Sequence, residues 1–356
     1  MPATVIRSYD DVVALLCDAT RQDLPFYKMS TPDITANSIQ SLWQVAGMPG
    51  AAATPATGTG ETCSSGTAGA IPFTNAASGT RNLLANLQAS CTYGGGWMLY
   101  DRLWQNSGLS GTVLTAQAVN SLALPRYTDG KGVEIWIEWY TTTGATLPTI
   151  TCSYTNTAGV SGRTTVAQTA ITGTAGTMMQ LPLQGGDLGV LSVQSITVTA
   201  AASAAGNIGV TLGYPIQNFG ISAVGQCDVR DPLKTGLVQV RDNACLALMC
   251  YTGLARTGVL QAKATLIEAA LCRSRWRKYW GWRSARRSTL HRHLPPSSRQ
   301  TTGVTTGRTA FYLLVGLSLS HRRVSHTTIR QRARYLCRLL RLVCVHDLFE
   351  ATPTKA

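Results

Sequence analysis

Between residues 96 and 267 the chain is cut by glycine-rich turns into short runs of alternating apolar and polar residues, a rhythm that suits antiparallel β structure. The clearest run is Gly132-Val-Glu-Ile-Trp-Ile-Glu-Trp-Tyr140. It sets Val133, Ile135, Ile137 and Trp139 on one face, opposite Glu134, Trp136, Glu138 and Tyr140. The first face is expected in a core and the second toward solvent or a partner. Further strands are expected at Gly96–Leu103, Thr149–Tyr154, Arg163–Gln168, Met178–Leu183, Val193–Ala200, Asn207–Leu212, Cys245–Tyr251 and Gly258–Ile267. Asp129-Gly130, Asn156-Thr-Ala-Gly159 and Gly185-Gly186-Asp187 supply turns between them. The expected class is mainly β, an antiparallel β-sandwich or jelly roll over residues 96–270 with a short N-terminal helical arm.

The arm occupies residues 1–46. Ser8-Tyr9-Asp10-Asp11 is a capping-box variant ahead of Val12, Val13, Leu15 and Leu16, which starts a helix. A second helical segment is expected over 34–44, with Ile39, Leu42 and Trp43 on one side. Residues 47–95 form a linker and loop region, because Gly47 to Gly69 is almost entirely Ala, Thr, Gly, Pro and Ser.

Charge divides the chain at about residue 270. Residues 1–270 hold 13 Lys+Arg against 15 Asp+Glu, a net of −2, whereas residues 271–356 hold 18 against 2, a net of +16. All five histidines and 16 of the 25 arginines fall in the second part, and the strand rhythm stops there. This segment reads as a frameshift-derived extension or translated wrong frame, expected to be disordered; the alternative is a genuine basic tail. The ten cysteines show no CxxC pair, so most are expected reduced and buried. The start, Met1 to Tyr9, is polar and lacks a secretory pattern, and Phe311 to Leu319 is about half the ~20 residues of a membrane span. Synthesis in a cytoplasm and no membrane partner are expected.

The composition also argues against catalysis. A hydroxyl or thiol nucleophile usually needs a histidine base, and residues 1–270 contain none, which also removes the commonest zinc ligand. Glu134 and Glu138 stand ~13 Å apart by strand rise, wider than either glycosidase carboxylate spacing, and read as a solvated strand face. Asp101 and Asp187 carry no stronger signal. The Gly58–Thr67 stretch lacks the lysine and preceding strand of a phosphate loop. No enzyme activity, cofactor or metal site is expected. Trp97, Trp104, Trp136, Trp139 and Tyr140 are the candidate core or interface anchors. Trp136 and Tyr140 are read as exposed, where they would pack on a neighbouring subunit or stack on a sugar ring.

Several stretches of the body resemble a family of virion proteins from tailed bacteriophages. They are Tyr100-Asp-Arg-Leu-Trp-Gln-Asn-Ser-Gly-Leu109, Thr115-Ala-Gln-Ala-Val-Asn-Ser-Leu-Ala-Leu-Pro125, Ser153-Tyr-Thr-Asn-Thr-Ala-Gly-Val-Ser-Gly-Arg-Thr164 and Leu183-Gln-Gly-Gly-Asp-Leu-Gly-Val-Leu-Ser-Val-Gln-Ser-Ile-Thr197. The resemblance runs over roughly residues 30–268. It implies a β-sandwich in the virion, on or near the head, as a decoration or minor head protein present in many copies. Its partners would be the major capsid or another virion protein and further copies of itself. The motifs are strands and turns and carry no active-site residues, and residues 271–356 depart from the pattern. A carbohydrate-binding module for host attachment is the alternative reading.

A further alternative is nucleic-acid binding by a genuine tail. There Arg273, Arg275, Trp276, Arg277, Lys278 and Arg283 would combine phosphate neutralisation with stacking. Such binding would fall steeply between 50 and 200 mM salt, on the order of 10³-fold for six phosphate contacts. It would vanish on truncation at about residue 270, and fluorescence anisotropy with single-stranded DNA at the two salt concentrations checks both expectations.

Overall fold

Ser8 opens the first element as expected: its Oγ accepts from the Asp11 backbone N–H, and the Asp11 carboxylate accepts from the backbone N–H groups of Ser8 and Arg7. The structure, a computed structural model, describes residues 4–29, 36–142, 144–171, 174–202, 204–254 and 258–270. In chain order it begins α1 (Tyr9–Leu16), β1 (Gln22–Met29), β2 (Ser38–Ser41), β3 (Gly47–Met48), β4 (Glu61–Thr62), β5 (Thr80–Cys91) and β6 (Gly95–Gln105). There follow β7 (Gln117–Ala118), β8 (Glu134–Trp139), β9 (Thr149–Asn156), β10 (Arg163–Thr164), β11 (Gln168–Thr169) and β12 (Thr177–Leu181). The last are β13 (Val190–Ala200), β14 (Ile208–Ile221), β15 (Cys227–Arg230), α2 (Pro232–Thr235), β16 (Gln239–Val240), β17 (Cys245–Thr252) and β18 (Val259–Ala270).

The protein is mainly β and its strand ladders are antiparallel. Its centre is a ring in the order β14-β8-β12-β2-β17-β6, closed by pairing of β6 back onto β14, with β4 added along β6. One flanking sheet runs β15-β5-β18-β1-β3 and carries β16 on β5; the other runs β10-β9-β13-β7 and carries β11 on β9. The ring turns Trp97, Leu99, Leu246 and Leu248 toward Phe26, Leu87, Leu260 and Leu266 of the first sheet. It turns Ile135, Ile137, Trp139, Val210 and Leu212 toward Ile150, Cys152, Val193 and Ile196 of the second. Its interior holds Tyr100, Trp136, Met178, Ala247 and Met249, with Trp43 packed among them.

Ring closure revises three expectations. The face of Trp136, Glu138 and Tyr140 does not meet solvent: it lines the ring, with Trp136 at 1% and Glu138 at 0% exposure, and Glu134 on the same face is half-buried. Alternation along a strand separates two faces but does not distinguish a barrel interior from water when that interior is polar. Within the span 34–44 expected as helix, residues 38–41 form strand β2, held between β12 and β17, because pairing along both its sides outweighs a weak helical spacing. Nor do residues 1–46 form a separate arm. The whole of β1 pairs with β18, and the Ala270 N–H donates to the Thr4 carbonyl at 2.9 Å.

The 47–95 region is likewise built into the fold. The long strand β5 lies between β15 and β18, with Leu84, Leu87 and Ala89 facing the ring and Leu83 and Ala85 packed beneath Val12 and Leu15 of α1. A strand covered on both faces loses its alternation, so this one escapes a period-two search. Residues 52–68 form a strap across the ring. The Ala52 N–H donates to the Trp43 carbonyl at 2.7 Å, the Ser107 hydroxyl to the Pro55 carbonyl at 2.6 Å, and the Cys63 N–H to the Leu103 carbonyl at 3.0 Å.

The β6–β14 closure carries register shifts at Leu212/Gly213 and Pro215/Gln217, bulges that increase local twist and accommodate Pro215. At the end of this seam, Asn106 holds Val210 through two bonds, its N–H donating to the Val210 carbonyl and its Oδ1 accepting from the Val210 N–H. The chains approach so closely that a Cβ on Gly209 would stand 1.9 Å from the Asn106 carbonyl oxygen. Gly209→Ala is therefore expected to destabilise by about 1–3 kcal/mol, the usual cost of overpacking. Gly185→Ala, with nothing within 4 Å, is expected to be near neutral; urea unfolding of the two variants tests the contrast.

Candidate functional site

The polar interior of the ring gathers the ionisable side chains that resemble a site. Glu138 projects inward from β8 and each of its oxygens accepts two bonds. Oε1 takes Ser41 Oγ at 2.8 Å and Gln44 Nε2 at 2.9 Å; Oε2 takes Tyr140 Oη at 3.0 Å and Thr211 Oγ1 at 3.1 Å. Burial pushes its carboxyl above the usual range, while the Ser41 bond and the Arg102 charge oppose that shift. Two residues along the strand, Trp136 donates to Glu134 at 3.2 Å, and Tyr100 donates to the same carboxylate at 2.7 Å.

Arg102 enters the interior from β6 and is fully buried. It donates to Gln105 Oε1 at 2.8 Å and to the Ala68 carbonyl at 3.1 Å, and it stacks over the Trp43 ring at 4.6 Å. Gln105 in turn donates to Glu61 at 2.6 Å. Glu61, Ser64, Thr67 and Gln105 then line an open depression of about 540 Å³ beneath the strap. A polar line thus runs from this depression through Gln105 and Arg102 toward Glu138. Nearby Lys28 donates to the Val45 and Pro49 carbonyls at 2.8 and 2.5 Å; burial and then repulsion from Arg102 bring its pKa down to about 8.

Next to the ring, Arg126 forms a two-pronged pair with Asp101, Nε to Oδ2 at 2.8 Å and Nη2 to Oδ1 at 2.7 Å. The same Nη2 donates to the Cys63 and Arg102 carbonyls, and Asp101 Oδ1 accepts the Cys245 N–H at 2.8 Å. In the β9–β13 sheet, Asp187 accepts from Tyr154, Asn156 and Arg163 at 2.5, 2.8 and 2.9 Å. Those bonds, led by Tyr154, hold its pKa at about 2. The Gly58–Thr67 segment occupies its own N–H groups: Ser64 N–H donates to Thr67 Oγ1 and Gly66 N–H to Ser64 Oγ.

The candidate anchors Trp97, Trp104, Trp136, Trp139 and Tyr140 are all buried within this one chain, so Trp136 and Tyr140 present no stacking surface. The proximity of Arg102 and Gln105 to Glu138 was not visible in the sequence, where they lie on two different strands; the adjacent charges Asp101 and Arg102 inside an otherwise apolar run were the one signal. Arg273, Arg275, Trp276, Arg277, Lys278 and Arg283 lie outside the described residues. Among the described residues, no three His, Cys, Asp or Glu side chains gather as a metal site, and no helix is long and apolar enough to cross a membrane.

No family model and no curated protein matches the chain. Among solved structures it is similar to one of the infectious bursal disease virus Gt strain, at 9% identity and a TM-score of 0.17 over 70% of this chain and 81% of that one. It is also similar to the VP2 subviral particle of infectious bursal disease virus, at 9% identity and a TM-score of 0.15 over 70% of this chain and 80% of that one. Superposition at this level does not place the chains in one fold.

Glu138 and Asp187 act on stability in opposite directions with pH. A carboxyl raised by folding stabilises most below its ordinary value of 4.5, and that contribution is lost as pH climbs through the raised value. One lowered by folding stabilises above 3.8 and loses its contribution as pH falls toward about 2. Thermal melts across pH 2–8 are therefore expected to separate the variants. Relative to Glu138→Gln, wild type loses stability as pH rises above 4.5. Relative to Asp187→Asn, its advantage disappears as pH falls from 4 to 2.

Proposed function

We propose that this chain is a structural component of a virus particle, of the tailed-phage kind its sequence resembles. In this reading it binds the major capsid protein or another virion protein and associates with further copies of itself. The observation that carries the proposal is the outer face of the β9–β13 sheet. There Ser195 stands opposite Ser153 and Thr197 opposite Thr151, with Thr149, Thr155 and Thr199 extending the rows. Its inner face, Ile150, Cys152, Val193, Ile196 and Val198, is fully occupied by the ring. An uncharged face of mostly short side chains docks at low cost in side-chain entropy and brings no buried charge to an interface. A body with net charge −2 adds little repulsion between copies.

The buried carboxylates support the same reading. Glu138, Asp101 and Asp187 hold strands together through bonds that use their oxygens, which is the chemistry of a scaffold. With Trp136 and Tyr140 inside the ring, no observation favours the carbohydrate-binding alternative.

Peptide mass spectrometry of purified particles tests the proposal. Abundant peptides from residues 1–270 are expected in the virion, whether or not those from 271–356 accompany them. Their absence would overturn it. Self-association is tested separately by sedimentation of the full chain, where the double substitution Thr151→Arg and Thr197→Arg is expected to weaken assembly at least tenfold with the melting temperature unchanged.

A further inference from the structure

Cys63 and Cys245 are 182 positions apart in the sequence and meet in the fold. Cys245 begins β17 opposite Arg102 of β6, while Cys63 follows β4 along the same edge and donates its N–H to the Leu103 carbonyl. Their side chains pack together with Ala70 in a small buried cluster. The Asp101–Arg126 pair fixes both backbones at once, because Arg126 binds the Cys63 carbonyl and Asp101 accepts the Cys245 N–H. One clamp therefore positions both cysteine backbones.

We propose that Cys63 and Cys245 are a modification site, a dithiol that closes to an intramolecular disulfide and fastens the strap of residues 52–68 to the ring. Both are free thiols in this structure. The two side chains share one buried cluster with Ala70, and a cross-link between them requires the ~4.4–6.8 Å between Cα atoms that a disulfide spans. The contact with Cys63 and the facing Arg102 guanidinium hold the Cys245 thiol below the usual range, making it the attacking thiolate. The partner oxidant is a small-molecule disulfide such as oxidised glutathione. The Cys245 thiolate attacks one of its sulfurs, forming a mixed disulfide and releasing one glutathione thiolate. Cys63 then gives up its proton and attacks the Cys245 sulfur, releasing the second. The sum is two protein thiols and one oxidised glutathione giving one protein disulfide and two reduced glutathiones.

The depression lined by Glu61, Ser64 and Ala68 brings solvent to residues flanking Cys63, so opening of the strap exposes the pair. Cys91 and Cys250 provide an internal contrast. Burial holds both thiols above the usual range, Cys250 at about 12, and they are expected to stay reduced. The cross-link does not rest on the virion reading, since it follows from the position of two thiols alone.

The test uses the full chain, exposed to oxidised glutathione both as the native protein and during refolding, then alkylated in denaturant and digested without reduction. Mass spectrometry is expected to find the Cys63–Cys245 linked peptide, with Cys91 and Cys250 alkylated. Melting of the oxidised protein is expected several degrees above the reduced protein, a shift absent in Cys63→Ser and in Cys245→Ser. A linked peptide with that shift supports the proposal. Full alkylation of Cys63 and Cys245 after both treatments, or their linkage only to other cysteines, overturns it. A linked peptide without any shift in melting overturns the fastening role.

Discussion

The pairing of β6 with β14 closes the central strands on themselves, and the rest of the structure depends on that closure. A closed ring has no free edges, so its backbone groups are satisfied internally and each strand gains an interior as well as an exterior. The exterior is covered on two sides by sheets whose inner faces are almost wholly apolar. The interior is not uniform: Met178, Ala247, Met249 and Trp43 pack as an ordinary core, and beside them sit Glu138 and Arg102, both fully buried.

Charges removed from water are tolerated only when geometry replaces their hydration. Glu138 has four donors, Arg102 has a side-chain amide, a carbonyl and an aromatic ring, and Asp101 has Arg126 and a backbone N–H. Their partners come from segments far apart in the chain, Ser41, Ala68, Gln105, Arg126, Thr211 and Cys245 among them. Loss of one member strands another, so the network ties correct strand pairing to correct placement of the strap. Gly, Ala and Thr in residues 47–69 suit this role, since small side chains let the backbone lie close over the ring. The strap supplies the Ala68 carbonyl to Arg102, and the chain leading into it supplies the Val45 and Pro49 carbonyls to Lys28.

A body built this way spends its chemistry on holding itself together. What remains outside includes a hydroxyl-lined sheet face and an open depression, on a body whose net charge is −2.

The sequence by itself determined the β class, the longer strands between residues 96 and 267, the capped helix at Tyr9–Leu16 and the turns at Gly130, Gly159 and Asp187, while the strand expected at Arg163–Gln168 is two separate short pairings, β10 and β11. All of these are local, written in side-chain alternation, glycine placement and one Ser–Asp reciprocal cap. Tertiary structure alone decided where each face points. Strand β5 has no alternation because it is covered on both sides, β2 has a helical spacing overruled by its two neighbours, and Glu138 reads as a surface residue although it is the centre of a buried network. The physical reason is the same in each case. Strand pairing and burial are long-range, and a polar side chain is equally content with water or with a complete set of protein partners, so its identity does not reveal which of the two surrounds it.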